Sequence, residues 1–441
     1  MPITRLRTQP NRLTTWPLVV ATFFMVSGGA YGIEDVVRGA GYTRAILILF
    51  VTPIIWSLPT AYMIGELSSA LPEEGGFYVW VRRAMGDFCG FQEAWLSLVA
   101  SVFDMAIYPT LFVAYLSRLL PWAGVNRHGI IVGVAVIAVS AVLNLAGIRA
   151  VSTTSITLFL VLSAPFVVIV VLSPFKWASL GHMVFASSSA PVDLFGGLLV
   201  AMWNYMGWDN ASTVAGEVDS PQRAYPRAML MCVGLVSLTY ILPVAAVAMT
   251  KLNPSAWETG SWVNIAALIG GPLLGIAVVL GGMMSAFGMF NALVMSYSRL
   301  PLAMAQDRML PAAFGRLTKK SRVPWVSIVV LSAGWALCVG LGFERLVAID
   351  ILIYGSSLLL EFAALVLLRI REPNLPRPFR VSGRSTRSGA GWRISHAAFG
   401  TRSAPRRTRT GVGVKQSYIW HSGDRCRISG LRSECSLPYF S

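Results

Sequence analysis

Apolar stretches long enough to cross a lipid bilayer recur along most of this chain, and no ordinary polar surface separates them. A membrane helix needs about 20 consecutive apolar residues. Such runs fall at 14–38, 43–70, 88–118, 129–147, 153–173, 192–217, 227–249, 267–298, 324–342 and 346–369. The chain is 55% hydrophobic and only 13% charged, whereas soluble domains carry about 25% charged residues. One soluble core cannot hide that much apolar surface. The expected fold class is therefore an all-α polytopic membrane protein of ten spans, with 1–13 and 370–441 outside the membrane. Arg5, Arg7 and Arg12 precede the first run as they would in a signal peptide. That run is too long for a cleaved apolar core, so it reads as a retained span.

The charges place the chain in the membrane and exclude nucleic acid as a partner. The net charge is +16, but 381–441 supply 11 Lys/Arg against 2 Asp/Glu, more than half of the excess. Counted over the loops, 18 Lys/Arg fall on the side of the N-terminus and 7 on the other. Positive loops stay inside, so the N-terminus is expected to be cytosolic and the protein to lie in the cell membrane. Cys89, Cys232, Cys338, Cys426 and Cys435 show no CxxC or metal-ligand spacing, and the four histidines show none either. No phosphate loop of the GxxxxGK[ST] type is present, so neither a metal, a cofactor nor ATP is expected.

Two spans make poor continuous helices. The first contains Val26-Ser27-Gly28-Gly29-Ala30-Tyr31-Gly32-Ile33-Glu34-Asp35, and the sixth contains Trp203-Asn204-Tyr205-Met206-Gly207-Trp208-Asp209-Asn210. Each glycine weakens a helix by about 1 kcal/mol relative to alanine. Polar groups at membrane depth persist only where protein or a watery cavity satisfies them. Interrupted spans at corresponding positions of two halves point to a transporter's central site. Spans one and six are five apart, as an inverted five-helix repeat requires, although no residue-level repeat is visible.

These segments resemble the amino acid–polyamine–organocation transporters, most closely the branch of plant-type polyamine uptake transporters and L-type amino acid transporters. The resemblance rests on the first-span motif; on Gly65-Glu66-Leu67 with Leu71-Pro72-Glu73-Glu74-Gly75-Gly76-Phe77-Tyr78; on Phe91-Gln92-Glu93 and Met105 to Pro109; on Trp203 to Asn210 with Ala215 to Val218 and Tyr225 to Ala228; and on Ala305 to Pro311. It covers 15–381. It implies two inverted five-helix repeats with broken helices 1 and 6, alternating access around a midplane site, and two further helices. Those last two are missing here: after Val381 comes a Ser/Arg/Gly-rich segment with no span. A frameshift near 381 is the expected cause, and a basic tail that touches anionic lipid is the other reading.

The break in span one turns the backbone N–H groups of Ser27, Gly28 and Gly29 toward the site, where the resemblance implies that family members hold a substrate carboxylate. An amine needs acceptors, and carboxylates bind ammonium groups most strongly. Ionisable residues within spans are functional candidates by default. Here they are Glu34 and Asp35, Glu66, Glu93, Asp104 and Asp209. Asp104 has the best depth, Glu93 lies nearer a membrane end, and Glu66 is as readily a structural partner. Glu34 and Asp35 are adjacent, so only one of them faces a substrate squarely. The resemblance implies a proton-coupling carboxylate at Asp209 and an aromatic gate at Trp203. Tyr31, Gly32, Tyr108, Asn204, Gly207 and Trp208 complete the expected site. The polar run from Glu217 to Arg223 is either a gate latch or a solvated loop.

The expected function is a secondary transporter, not an enzyme, that moves polyamines of the putrescine or spermidine type with protons as coupling ion. An amino acid permease or exchanger is the alternative within transport, and a truncated, inactive transporter or sensor the alternative outside it. Oligomeric state is not encoded in any of these features.

Overall fold

Among the residues that the computed structural model describes, 13–381 apart from 74, 147, 181–192, 251 and 342, helix follows helix and the only β-pairing is two isolated bridges. The expected N-terminal segment before 13, and the tail from 382 with its proposed frame change, lie outside the described residues. The helices are α1 (Thr15–Val26), α2 (Glu34–Thr52), α3 (Leu58–Ala70), α4 (Phe77–Met85), α5 (Asp87–Leu116), α6 (Asn126–Ala146), α7 (Ile148–Leu180), α8 (Leu194–Asn204), α9 (Pro221–Ala248), α10 (Trp262–Gly270), α11 (Pro272–Tyr297), α12 (Arg299–Gln306), α13 (Trp325–Cys338) and α14 (Phe343–Arg371).

Seven helical stretches among the described residues are long and apolar enough to cross a membrane. The shorter α1 and α13 are apolar as well, and α8 has 11 residues. Most expected boundaries hold to within a few residues. The eighth span does not begin at 267: Gly271, at φ 85°, separates α10 from α11, and Pro272 opens the new helix. The first two spans meet within α2 at Gly41, whose φ of 70° and ψ of 165° are not helical.

Both expected breaks are present, and glycine is their cause. After Val26 the backbone is extended at Ser27. Gly29 and Gly32 then adopt φ of 87° and 88°, a region open to glycine and costly for other residues. Helix resumes at Glu34. The second break follows Asn204, turns at Gly207 with φ 86°, and continues from Asp209 to Glu217 as a 3₁₀ segment rather than an α-helix.

Side chains sort by environment in the sense opposite to that of a soluble protein. On α14, Leu352, Leu359, Val366 and Ile370 are exposed, while Asp350, Tyr354, Ser357 and Glu361 are buried. The buried set recurs at i, i+4, i+7 and i+11, one face of an α-helix. α5 answers with Glu93, Ser97, Ser101, Asp104 and Tyr108, also buried. The two helices pack against each other through these polar faces, joined by the hydrogen bond between Ser97 and Ser357 at 2.9 Å. A lipid-facing surface favours apolar side chains, and polar groups at that depth must find each other.

Candidate functional site

The two helix breaks lie against each other. Asn204 Nδ2 donates to the Gly32 carbonyl at 3.3 Å and to Val200 O at 2.8 Å, and its own carbonyl accepts from Tyr240 at 2.8 Å. Gly207 passes so close to α1 that a Cβ built there would stand 2.6 Å from Met25 O. Between the breaks is a cavity of about 10 Å³, lined by Met25, Val26, Asp104, Tyr108, Trp203, Met206, Gly207, Asn210, Tyr297 and Tyr354. That volume is about what one water occupies. In this arrangement the centre is closed.

Asp104 is the charged residue of that lining. It accepts from Tyr108 at 2.8 Å, from Trp203 Nε1 at 3.3 Å and from Tyr297 at 3.5 Å. Asp209 stands behind the lining: Tyr354 donates to its Oδ1 at 2.5 Å and accepts from the Gly207 amide at 3.1 Å. One tyrosine thus ties the sixth-span break to its own carboxylate. Asn210 Oδ1 accepts from Ser296 at 2.8 Å, which fixes the break to α11.

Of the residues expected at the site, Asp104, Tyr108, Trp203 and Gly207 line the cavity. Tyr31 packs edge-on to Tyr115 and Phe166, and Trp208 is fully buried with its Nε1 on Tyr205 O at 2.7 Å. The amides of the first break are less open than expected. Ser27 N donates to Phe23 O at 2.6 Å as the last i→i−4 bond of α1, and Gly29 N to Ser27 Oγ at 3.1 Å. Gly28 O accepts from Ser285 at 2.5 Å, and a Cβ on Gly28 would meet Ser285 Oγ at 2.0 Å.

Glu34 is held by three donors and does not line the cavity: Gly32 N at 2.7 Å, Tyr115 at 2.6 Å and Gly260 N at 3.0 Å. Asp35 instead lines a cleft of about 390 Å³ together with Arg38, Arg118, Glu258, Thr259 and Glu344. Arg38 bridges Asp35 and Glu344 at 3.0 and 2.8 Å, and Arg118 pairs with Glu258 at 2.8 Å. Phe343 also lines the cleft, and its ring meets Trp203 edge-on at 5.5 Å. Two aromatic side chains therefore separate this cleft from the central cavity.

The opposite end is sealed by polar contacts. Leu13 N donates to Glu217 O at 2.9 Å and Asp219 N to Leu13 O at 2.8 Å. Arg299 forms an ion pair with Glu217 at 2.6 Å, both largely buried. In the polar run 217–223, Glu217 is thus paired and not solvated. Gly76 packs on the 3₁₀ segment so tightly that a Cβ would lie 2.1 Å from Ser212 Oγ, which accounts for the glycine pair at 75–76. Glu66 is structural: it is fully buried, pairs with Arg369 and accepts from Val381 N at 2.8 Å. Nearby, Arg83 donates to Glu372 at 2.9 and 2.7 Å, and this bonding holds the Glu372 carboxyl below the usual carboxylate range.

Two buried acids escaped the sequence reading. Asp350 and Glu361 sit 1% and 0% exposed on α14, and no oxygen of either has a hydrogen-bond partner. The signal was available, since both interrupt the apolar run 346–369 and an acid in such a run is a functional candidate. No group of His, Cys, Asp and Glu among the described residues is arranged to hold a metal ion.

An amino acid permease family model matches residues 19–399. The chain is 35% identical over 377 residues to polyamine transporter RMV1 of Arabidopsis thaliana, covering 85% of this chain and 76% of that one. It is 35% identical over 366 residues to polyamine transporter PUT1 of Oryza sativa subsp. japonica, covering 83% and 68%. The serine/threonine exchanger SteT of Bacillus subtilis (strain 168) is 24% identical over 353 residues, 78% of this chain and 79% of that one. Among solved structures, MhsT in complex with L-phenylalanine superposes with a TM-score of 0.56 at 14% identity, covering 82% of this chain and 90% of that chain. That likeness shows the shared fold. A nearly all-helical membrane bundle, broken twice around a closed central cavity, and matched along most of its length by this family, is a multi-pass membrane transporter: the chain belongs to the amino acid permease family of the amino acid–polyamine–organocation superfamily.

Proposed function

We propose that the chain carries polyamines across the cell membrane by alternating access, as a secondary transporter coupled to protons. One observation carries the substrate class. Among the described residues, the central cavity is lined by a carboxylate, Asp104, and by the aromatic side chains of Tyr108, Trp203, Tyr297 and Tyr354, with no Lys, Arg or His. A carboxylate with aromatic faces is the chemistry that holds an ammonium group, since ring faces add about 0.5–2 kcal/mol to cation binding. The names of the Arabidopsis and rice relatives agree with this reading. The cleft of about 390 Å³ on the Arg38–Glu258 end is the entry vestibule. By the charge of the loops, that end faces outside and the Glu217–Arg299 end faces the cytosol. The core then has ten spans, counting the two interrupted ones as single crossings, and a cytosolic N-terminus. Asp209, joined through Tyr354 to the Gly207 turn, is the coupling carboxylate, and amine and proton compete for the acids at the centre.

An amino acid permease is the second reading, favoured by the Ser27–Gly29 break and by the exchanger SteT among the relatives. The test is uptake of radiolabelled putrescine and arginine into vesicles holding the purified full chain, with and without an inward proton gradient. Putrescine accumulation that rises with the gradient, and falls at least tenfold in Asp104→Asn, is expected. Arginine uptake without putrescine uptake overturns the polyamine reading.

A further inference from the structure

Two acids of the α5–α14 seam lie outside the central site. Glu93 and Glu361 are both 0% exposed. Glu93 Oε1 accepts from Ser97 and from Ser357, each at 2.9 Å, and the two serine hydroxyls lie 2.9 Å apart. Glu93 Oε2 and both oxygens of Glu361 have no hydrogen-bond partner. Glu361 lies within electrostatic reach of Asp209 and Glu93, and Asp209 within reach of Glu93. On α14, Tyr354, Ser357 and Glu361 share one face, so the step from Tyr354 to Glu361 is two turns, about 10 Å. Tyr354 is the residue bonded to Asp209.

Among the described residues neither acid forms an ion pair, and Arg82 on the packed helix α4 is already paired with Asp87 and Asp307. The facing charged and titratable groups are Glu93 and Asp104 on α5, Asp209 on the 3₁₀ segment, and Tyr354 and Asp350 on α14 itself. α8 contributes none. Arg83 on α4 is engaged with Glu372, and Glu66 on α3 with Arg369. An ionised carboxylate buried without donor or cation costs several kcal/mol, so a run of them is tolerated only where protons come and go, as in the proton relays of membrane transporters. A metal ion fits less well, because the hydroxyl and carboxylate oxygens at Ser97, Ser357 and Glu93 are already in direct hydrogen-bond contact.

We propose that Glu93, held by Ser97 and Ser357, and the unpartnered Glu361 of the same seam form a proton relay from Asp209 toward the cytosolic face. The proposal rests on the reading above of a proton-coupled importer with its α4 end inside. One proton bound at Asp209 from the outer side passes to Glu361 or Glu93, whose carboxylate becomes the acid as Asp209 becomes the carboxylate. It then leaves to cytosolic water when the Glu217–Arg299 end opens, so one proton enters and one leaves. Neither Glu361 nor Glu93 touches the substrate; both act on the return of Asp209 to its charged form.

The experiment uses vesicles of the full chain loaded with a pH-sensitive dye, supplied with putrescine, or with arginine if that is the solute carried. Wild type acidifies the lumen during uptake. Glu361→Gln and Glu93→Gln are expected to lower gradient-driven accumulation and dye acidification at least tenfold, while substrate-for-substrate exchange stays within twofold. Should either variant fail to fold, Ser357→Ala keeps every carboxylate and is expected to slow acidification at least threefold with exchange retained. Acidification at the wild-type rate in all folded variants overturns the relay alone. Exchange without any acidification in wild type overturns proton coupling itself, and dependence on sodium in place of the proton gradient overturns both.

Discussion

Phe343 stands edge-on to Trp203, ring centroids 5.5 Å apart and planes at 88°. Phe343, which lines the cleft of about 390 Å³, is also the first residue of α14, the helix whose buried face carries Asp350, Tyr354 and Glu361. The aromatic contact between cleft and cavity and the seam acids of α14 thus belong to one helix.

An edge-to-face aromatic pair contributes about 0.5–1.5 kcal/mol. Phe343→Ala is expected to shift the balance toward the open cleft by about two- to tenfold, since 1.4 kcal/mol is tenfold in an equilibrium constant. Modification of a cysteine placed at Met206, in the cavity lining, by an external thiol reagent measures it. An unchanged rate in the Phe343→Ala background shows that these rings are not the lid.

At the opposite end, Arg299 and Glu217 make a largely buried pair. Removing one partner of such a pair costs about 3–5 kcal/mol because the other charge is stranded. Arg299→Ala is expected to lower the unfolding temperature in detergent markedly, and the double variant Arg299→Ala with Glu217→Ala to recover part of the loss. Additive losses in this cycle mean that the two residues act independently.

Glycines at positive φ are not equivalent. Gly207 and Gly86 share φ of 86° and 89°, but only Gly207 has a neighbour within 4 Å, Met25 O at 2.6 Å from a built Cβ. Gly86→Ala is expected to cost only the conformational strain, about 1–2 kcal/mol, with transport kept. Gly207→Ala forces the two broken spans apart and abolishes transport. Equal transport by the two variants contradicts that distinction.

Glu372 supplies a pH test away from the membrane centre. Its carboxyl is held below the usual range by bonding to Arg83, so the contribution is present above the unfolded value, about 4.3, and fades as pH falls through the folded one. Both side chains are partly exposed, which limits the pair to about 0.2–1 kcal/mol. Wild type is expected to exceed Arg83→Met in thermal stability at pH 7, with the gap closing toward pH 3. A gap that is constant with pH removes the ion pair as its source.

Much of the site was legible because bilayer physics writes it into the chain. Glycines and acids inside apolar runs are costly in hydrocarbon, so the breaks at Gly29, Gly32 and Gly207 and the depth of Asp104 could be read directly, as could the choice left open at Glu66. Asp350 and Glu361 carried the same signal in the tenth run. Which acid faces what could not be read. Glu34 and Asp104 look alike in one dimension, yet Glu34 is held by Tyr115 and the Gly260 amide, far along the chain, while Asp104 lines the cavity.

The sequence alone determined a helical membrane bundle, its two interruptions and the family to which it belongs, because length, apolarity and glycine placement act locally. Only the tertiary structure decided that Trp203 meets Phe343, that Glu217 pairs with Arg299, and that the acids of α5 and α14 share one seam. Those pairings depend on how helices distant in sequence turn their buried faces toward each other, and at that depth a polar group can find a partner only within the bundle.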